Sequence, residues 1–204
     1  MKIGLLGGSF DPPHNTHIAV AAGMCHFRRL DRVDLLVTGQ SPHAEGKSNH
    51  ADVQHRLAMA HLAVEGRKSL GVEDIETRRK GPSYTIDTIR ALKQANPGTS
   101  YEFIIGSDML ANLPTWREIG KLLQMVDFVT VVRSAGLSPG VFDDLRAKLG
   151  EDETDRLGAN VVRIMSLPDI SSTQIRAAAA AGESIAEWVP PAVRAYIHAH
   201  RLYR

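Results

Sequence analysis

The chain is expected to fold as α/β, with a Rossmann-like doubly wound parallel sheet of about five to six strands flanked by helices. Three observations predict this. Short apolar runs without a two-residue period, such as residues 3–6, suit strands buried on both faces of a parallel sheet. Segments with helical spacing separate them, and a strand, a helix and a second strand within about forty residues make a right-handed βαβ unit. The glycine-, proline- and serine-rich loops follow the strands, at the edge where open α/β sheets bind ligands. With 204 residues, 43% of them hydrophobic, the chain is expected to form a single domain, 1–204, around a proper core.

The first seventeen residues organise the rest. Ile3, Gly4, Leu5 and Leu6 read as a central strand. Gly7 and Gly8 then allow a tight turn and close approach to a ligand, and Pro12 and Pro13 stiffen the entry to the next element. His14 and His17 are three apart, so one helical turn aims both the same way. By spacing alone the pair could line a helix or belong to a metal site. Strand, bare N–H groups and helix start together favour an anion site, where the imidazoles donate to phosphate oxygens.

Residues 18–29 continue that helix, and 33–37 form a second strand. Residues 38–50 have loop composition, and His43 and Lys47 are candidate phosphate contacts because this loop leaves a strand's carboxyl end. A helix is expected over 52–64, capped by Asp52, with Leu57, His61 and Val64 along one face. His50, His55 and His61 do not stack on one helical face and read as surface or core-edge residues. A strand at 70–75 leads through a basic turn to a helix at 84–92. There Ser83 is a candidate cap, and the N–H groups of Tyr84 and Thr85 can hold a carboxylate.

Asn96, Pro97 and Gly98 end that helix. The strand at 101–105 runs into Gly106, which allows a ligand near the backbone, and Asp108, which can accept from ribose hydroxyls. Trp116 offers an indole to stack on a flat, electron-poor ring. A strand is expected at 127–132 and an amphipathic helix at 141–149. Residues 151–155 read as an acidic, solvated turn, and 161–165 as the last strand. Ser171 can cap a helix opening at Ser172. The N–H and hydroxyl groups of Ser172 and Thr173 can take phosphate oxygens, and Arg176, one turn on, brings a forked donor to the same anion. Pro191 suits the first position of a final helix spaced by Val193, Ile197 and Leu202.

Two stretches at opposite ends of the chain carry a resemblance. Gly7-Gly8-Ser9-Phe10-Asp11-Pro12 with His14-x-x-His17, and Ile170-Ser171-Ser172-Thr173-x-Ile175-Arg176, resemble the two signatures of the nucleotidylyltransferases that share a fold with class I aminoacyl-tRNA synthetases. That family has His-x-Gly-His; Thr16 stands in the glycine's place and adds bulk where the glycine lets the nucleotide lie against the backbone. Gly81-Pro82-Ser83-Tyr84-Thr85-x-Asp87-Thr88, Leu113-x-x-Trp116, Val189-Pro-x-x-Val193-x-x-Tyr196-Ile197 and Leu202-Tyr203 are similar to the nicotinate-nucleotide branch. Gly106-x-Asp108 is similar to the family's adenosine contact, Pro42, His43 and Lys47 to a loosened form of its phosphate loop, and Arg133 to its Arg-Pro-Gly.

The resemblance implies a nicotinate-nucleotide adenylyltransferase. It would join ATP and nicotinate mononucleotide into deamido-NAD and pyrophosphate in NAD biosynthesis. His14, His17 and Arg176 would be catalytic. Gly7, Gly8, Ser9, Phe10, Gly106, Asp108, Ile170, Ser171 and Ser172 would join them in binding ATP. His43, Lys47, Tyr84, Thr85 and Trp116 would bind the acceptor, and residues of about 171–204 would complete the nucleotide site. The implied cofactor is Mg2+, held mainly by phosphates rather than by a protein cage. The competing readings are an adenylyltransferase of the same fold acting on nicotinamide mononucleotide or another phosphorylated acceptor, and a nucleotide-binding sensor that has lost catalysis.

Charge excludes little else. With 24 basic and 23 acidic residues the net charge is +1, which points neither to nucleic acid nor to a membrane surface. A single Cys25 allows no internal disulfide and fits a cytoplasmic protein; it reads as helix packing. No leader or spanning segment is evident in the sequence, and a homo-oligomer is left open.

Overall fold

The computed structural model describes residues 1–42, 51–132, 136–164 and 170–204. Its centre is one six-stranded, all-parallel sheet: β1 (Lys2–Gly8), β2 (Arg32–Val37), β3 (Leu70–Glu73), β4 (Ser100–Gly106), β5 (Asp127–Val132) and β6 (Val161–Arg163). The strand order is β3-β2-β1-β4-β5-β6, the doubly wound arrangement expected from the sequence. β1 pairs with β2 on one side, Leu6 opposite Leu35, and with β4 on the other, Leu6 opposite Ile104. The direction of winding therefore reverses between β1 and β4. Their carboxyl ends are where such a sheet opens a crevice.

Both faces of the sheet are covered, as buried apolar strands require. The helices are α1 (Asn15–Phe27), α2 (Val53–Val64), α3 (Thr85–Ala95), α4 (Ser107–Leu110), α5 (Ile119–Met125), α6 (Val141–Leu149), α7 (Glu151–Ala159), α8 (Ser172–Ala180) and α9 (Pro191–Ala199). Successive strand residues point to opposite faces. Leu6 and Leu35 join one core with Met24, Met59, Ile175 and Val193. Leu5 and Leu36 join the other with Ile86, Ile89, Phe103, Leu122 and Phe128. Among the described residues no helix is long and apolar enough to cross a membrane.

Gly4 shows how tightly the central strand is held. A methyl group at its Cα would lie 2.8–2.9 Å from carbons of Leu30, Val33 and Ile104. Overpacking of this kind costs about 1–3 kcal/mol. Gly4→Ala is therefore expected to lower the melting temperature by several degrees, and an unchanged melting temperature would show that these three side chains can move aside.

Several expectations are corrected. Residues 151–155 are not a solvated turn but the start of α7, with Glu151, Asp152 and Glu153 in its first turn. Acidic side chains there meet the positive end of the helix dipole, so a charge run that reads as loop is helix-forming in this position. The buried face of α2 is Arg56, Met59, Ala60, Ala63 and Val64, not the Leu57–His61–Val64 stripe, and His61 is exposed. Asp52 occupies the N-cap of α2 without a side-chain cap bond. β3 ends at Glu73, two residues early, because the Glu73 carboxylate folds back to accept from the N–H of Ile75 at 3.0 Å. β6 ends at Arg163.

Candidate functional site

A cleft of about 970 Å³ opens at the carboxyl ends of β1 and β4. Of the residues singled out from sequence, Gly7, Gly8, Ser9, Pro42, Ser83, Tyr84, Thr85, Gly106, Trp116, Ser172, Thr173 and Arg176 line it. Phe10, His14, His17, Asp108, Ile170 and Ser171 do not; His14 and His17 stand at the start of α1. His43, Lys47 and Arg133 lie outside the described residues.

The loop after β1 is shaped by side chains that face inward. Phe10 is 1% exposed and takes a left-handed backbone, φ +50°, which is costly for an aromatic residue. Its ring fills the space a side chain at Gly8 would need, 3.2 Å from that position, and meets the His17 ring edge-on at 5.0 Å. Phe10 thus stands behind the loop after β1 and against the His17 ring. His14 is at the N-cap of α1 and buried, and His17 is half-buried; their rings lie 3.7 Å apart. The His14 N–H donates to His17 Nδ1 at 3.2 Å. An accepting Nδ1 places the neutral ring's proton on Nε2, so His17 presents a donor. Thr16, expected to crowd the nucleotide, is 1% exposed and does not line the cleft.

The second signature docks directly on this loop. Ser171 caps α8, accepting from the N–H of Gln174 at 3.3 Å, and Gln174 returns the bond to the N–H of Ser171 at 2.8 Å. The Ser172 hydroxyl donates to the Pro12 carbonyl at 2.9 Å. Arg176 donates to the Asp11 carbonyl at 2.8 Å and to the Thr173 hydroxyl at 3.2 Å. Two stretches about 160 residues apart in sequence therefore form one wall with a guanidinium in it. Gly7, Gly8 and Ser9 form the facing backbone.

The other end of the cleft is aromatic. Trp116 meets Phe103 and Phe128 edge-on, at 5.9 and 5.7 Å between ring centres, which holds the indole upright beside Tyr84 and Thr85. Arg117 lies over the Tyr84 ring at 4.7 Å. Among the described residues Arg117 and Arg176 are the two cations that line the cleft, one at each end. Ser83 does not cap α3. Tyr84 is the N-cap, and the Ser83 hydroxyl instead accepts from the N–H of Gln40 at 3.3 Å. The Tyr84 N–H donates to the Pro82 carbonyl at 3.2 Å, so the donors left at this helix start are those of Thr85 and Ile86, which precede Asp87, the first to donate to the Tyr84 carbonyl.

Glu76, 4% exposed, lines the same end and accepts from the Thr88 hydroxyl at 2.8 Å. Burial pushes its carboxyl up, against the lowering effect of Thr88, Arg79, Ser83 and the Gly39 N–H. Gly106 was expected to admit a ligand. The space a side chain would fill there is taken by the carboxylate of Asp108, itself exposed in the first turn of α4. A side chain at Gly106 would make that carboxylate turn aside, and Gly106 itself lines the cleft.

Five residues of the site were given no role in the sequence reading: Asp11, Arg56, Glu76, Arg117 and Tyr203. Arg56 is 1% exposed and donates to the carbonyls of Ser9 and Thr38, each at 2.8 Å, and of Gly39 at 3.2 Å. Burial lowers its pKa and nearby Asp11 raises it. Asp11 accepts on Oδ1 from the Tyr203 hydroxyl at 2.7 Å and from the Ala51 N–H at 3.2 Å. A cation in phase with Met59, Ala60 and Ala63 was the one available signal, since an arginine on an apolar helix face needs buried acceptors.

The cytidylyltransferase-like family model matches residues 5–178. A probable nicotinate-nucleotide adenylyltransferase of Symbiobacterium thermophilum is 40% identical over 204 residues, covering 99% of this chain and 95% of its own. That of Salinibacter ruber is 38% identical, covering 100% of this chain and 98% of its own. Among solved structures, the Plasmodium falciparum nicotinic acid mononucleotide adenylyltransferase complexed with NaAD superposes with a TM-score of 0.74 at 20% identity, over 99% of this chain and 97% of that one, a likeness of fold.

Proposed function

The chain belongs to the cytidylyltransferase-like family and, within it, to the nicotinate-nucleotide adenylyltransferases, and we propose that its cleft transfers the adenylyl group of ATP to nicotinate mononucleotide, giving deamido-NAD and pyrophosphate in NAD biosynthesis. The observation that carries this reading is the polarity of one cavity. A backbone loop and Arg176 form its phosphate end, while Trp116, Tyr84 and Arg117 form an end suited to an anionic aromatic ring. A pyridine carboxylate set there meets the first N–H groups of α3 and the charge of Arg117.

The reaction is a direct in-line displacement. A phosphate oxygen of the mononucleotide attacks the α-phosphorus of ATP, the new P–O bond forms, the α–β bridging bond breaks, and pyrophosphate leaves with the electron pair. The protein supplies position and charge. His14 and His17 hold the ATP phosphates, with Nε2–H of His17 donating to an oxygen that gains charge. Arg176, fixed through the Asp11 carbonyl, attends the leaving group. Of the two acids that line the cleft, Asp11 is bonded to Tyr203 and Ala51, and Glu76 to Thr88. Among the described residues no three potential metal ligands converge. A magnesium ion carried by phosphates and water would spread the charge of the triphosphate. We propose that the reaction takes place in the cytoplasm, the compartment that a single free cysteine fits.

Pyrophosphate release from Mg-ATP, with nicotinate or nicotinamide mononucleotide offered separately, tests the assignment. Release is expected with both, and kcat/KM for the acid should exceed that for the amide by about 10–100-fold, the worth of a charge-assisted contact. Equal use of both would remove the assigned role of α3 and Arg117. Release with neither would remove the reaction.

A further inference from the structure

We propose that Tyr203 is a positioning residue for the phosphate end of the cleft: through the Asp11 carboxylate, its hydroxyl fixes the loop whose carbonyls hold Arg176 and Ser172. The contacts form an unbroken series. The Tyr203 hydroxyl donates to Asp11 Oδ1 at 2.7 Å. The Asp11 carbonyl accepts from Arg176 at 2.8 Å, and the next carbonyl, of Pro12, accepts from Ser172 at 2.9 Å. Asp11 is 2% exposed and cannot trade these partners for bulk water. A buried carboxylate that lost this donor, and kept the Ala51 N–H on the same oxygen, would turn toward that remaining donor and would take its own peptide with it.

Tyr203 is built to stay. Its backbone is left-handed, φ +64°, and so is that of Arg201, φ +52°. Such strain persists in non-glycine residues only where the surroundings over-determine it. Val193 and Ile197 of α9 anchor the segment in the core. Burial and the adjoining Asp11 carboxylate push the phenol's pKa up, so the hydroxyl keeps its proton. The inference rests on the proposed reaction for the choice of ligand, and on geometry for the rest.

The test compares Tyr203→Phe, which keeps the ring, with Tyr196→Phe. The latter removes a similar hydroxyl contact, to His55 at 3.0 Å, outside the cleft. Calorimetric titrations with Mg-ATP and with nicotinate mononucleotide are run at a temperature where circular dichroism shows each variant folded. Tyr203→Phe is expected to weaken Mg-ATP binding about tenfold and leave the mononucleotide within about twofold, and Tyr196→Phe to change neither. In an Arg176→Lys background the Tyr203→Phe effect on Mg-ATP should shrink to about twofold or less, since coupled residues are not additive. Unchanged Mg-ATP binding, parallel weakening of both ligands, or an equal effect of Tyr196→Phe would each overturn the proposal. If the unaltered protein binds Mg-ATP yet releases no pyrophosphate, the assigned reaction fails, and the affinity comparison still decides the role of Tyr203.

Discussion

Replacing His17 by alanine is expected to lower kcat by about 10²–10³-fold, the usual cost of deleting one donor aimed at developing charge. KM for nicotinate mononucleotide should stay within about a factor of two, because the pyridine end is formed by Trp116, Tyr84 and Arg117. The geometry makes the donor specific. His14's N–H occupies Nδ1 of His17, so the ring can offer only Nε2–H, and Phe10 meets the ring edge-on at 5.0 Å. His17→Gln places an amide donor near the Nε2 position and should recover part of the loss. His17→Asn, whose amide reaches only as far as Nδ1, should recover little. Steady-state kinetics on the three variants check this. A His17→Ala enzyme within about tenfold of the original kcat would mean that the histidine only caps α1.

The fold was legible because its signals are local and redundant. The strands at 127–132 and the helix at 141–149 carry their pattern within a few residues, and both are found at those bounds. The switch point then follows from the number and order of strands. What local patterning misread were ends and faces. The acids of 151–155 look like loop until the helix dipole they complement is known. Ser83 looks like a cap, yet its hydroxyl serves the backbone of Gln40, 43 residues earlier, a pairing no window contains.

The site divides the same way. Residues that line the cleft with backbone or polar groups, such as Gly7, Ser172 and Arg176, sit in short recognisable stretches. The groups that hold them do not. Tyr203 reaches Asp11 across 192 residues, and Arg176 reaches the same residue across 165. Phe10 belongs to the signature, but its ring is in the interior, where it fixes Gly8 and His17. Sequence alone shows that such a residue belongs to the motif without showing which way it faces.

Arg56→Ala is expected to cost about 3–5 kcal/mol of stability and to lower the melting temperature by about 10 °C. One guanidinium satisfies the carbonyls of Ser9, Thr38 and Gly39, which belong to the loops leaving β1 and β2. Its planar fork of donors is what lets a single side chain span three acceptors. With 1% of the residue exposed, water does not replace it cheaply. Arg56→Lys keeps the charge but not the fork, so one or two carbonyls lose their donor and roughly half the stability loss should remain. Thermal and urea unfolding measure both. The consequence reaches the proposed chemistry, because the Ser9 carbonyl that Arg56 holds lies in the loop that lines the cleft and that we assign to phosphate. Mg-ATP affinity should therefore fall in Arg56→Lys even well below its melting temperature. A lysine variant with full affinity and a melting temperature within about 2 °C of the original would show that a charge at this position suffices, and that the three-carbonyl clamp does not set the loop.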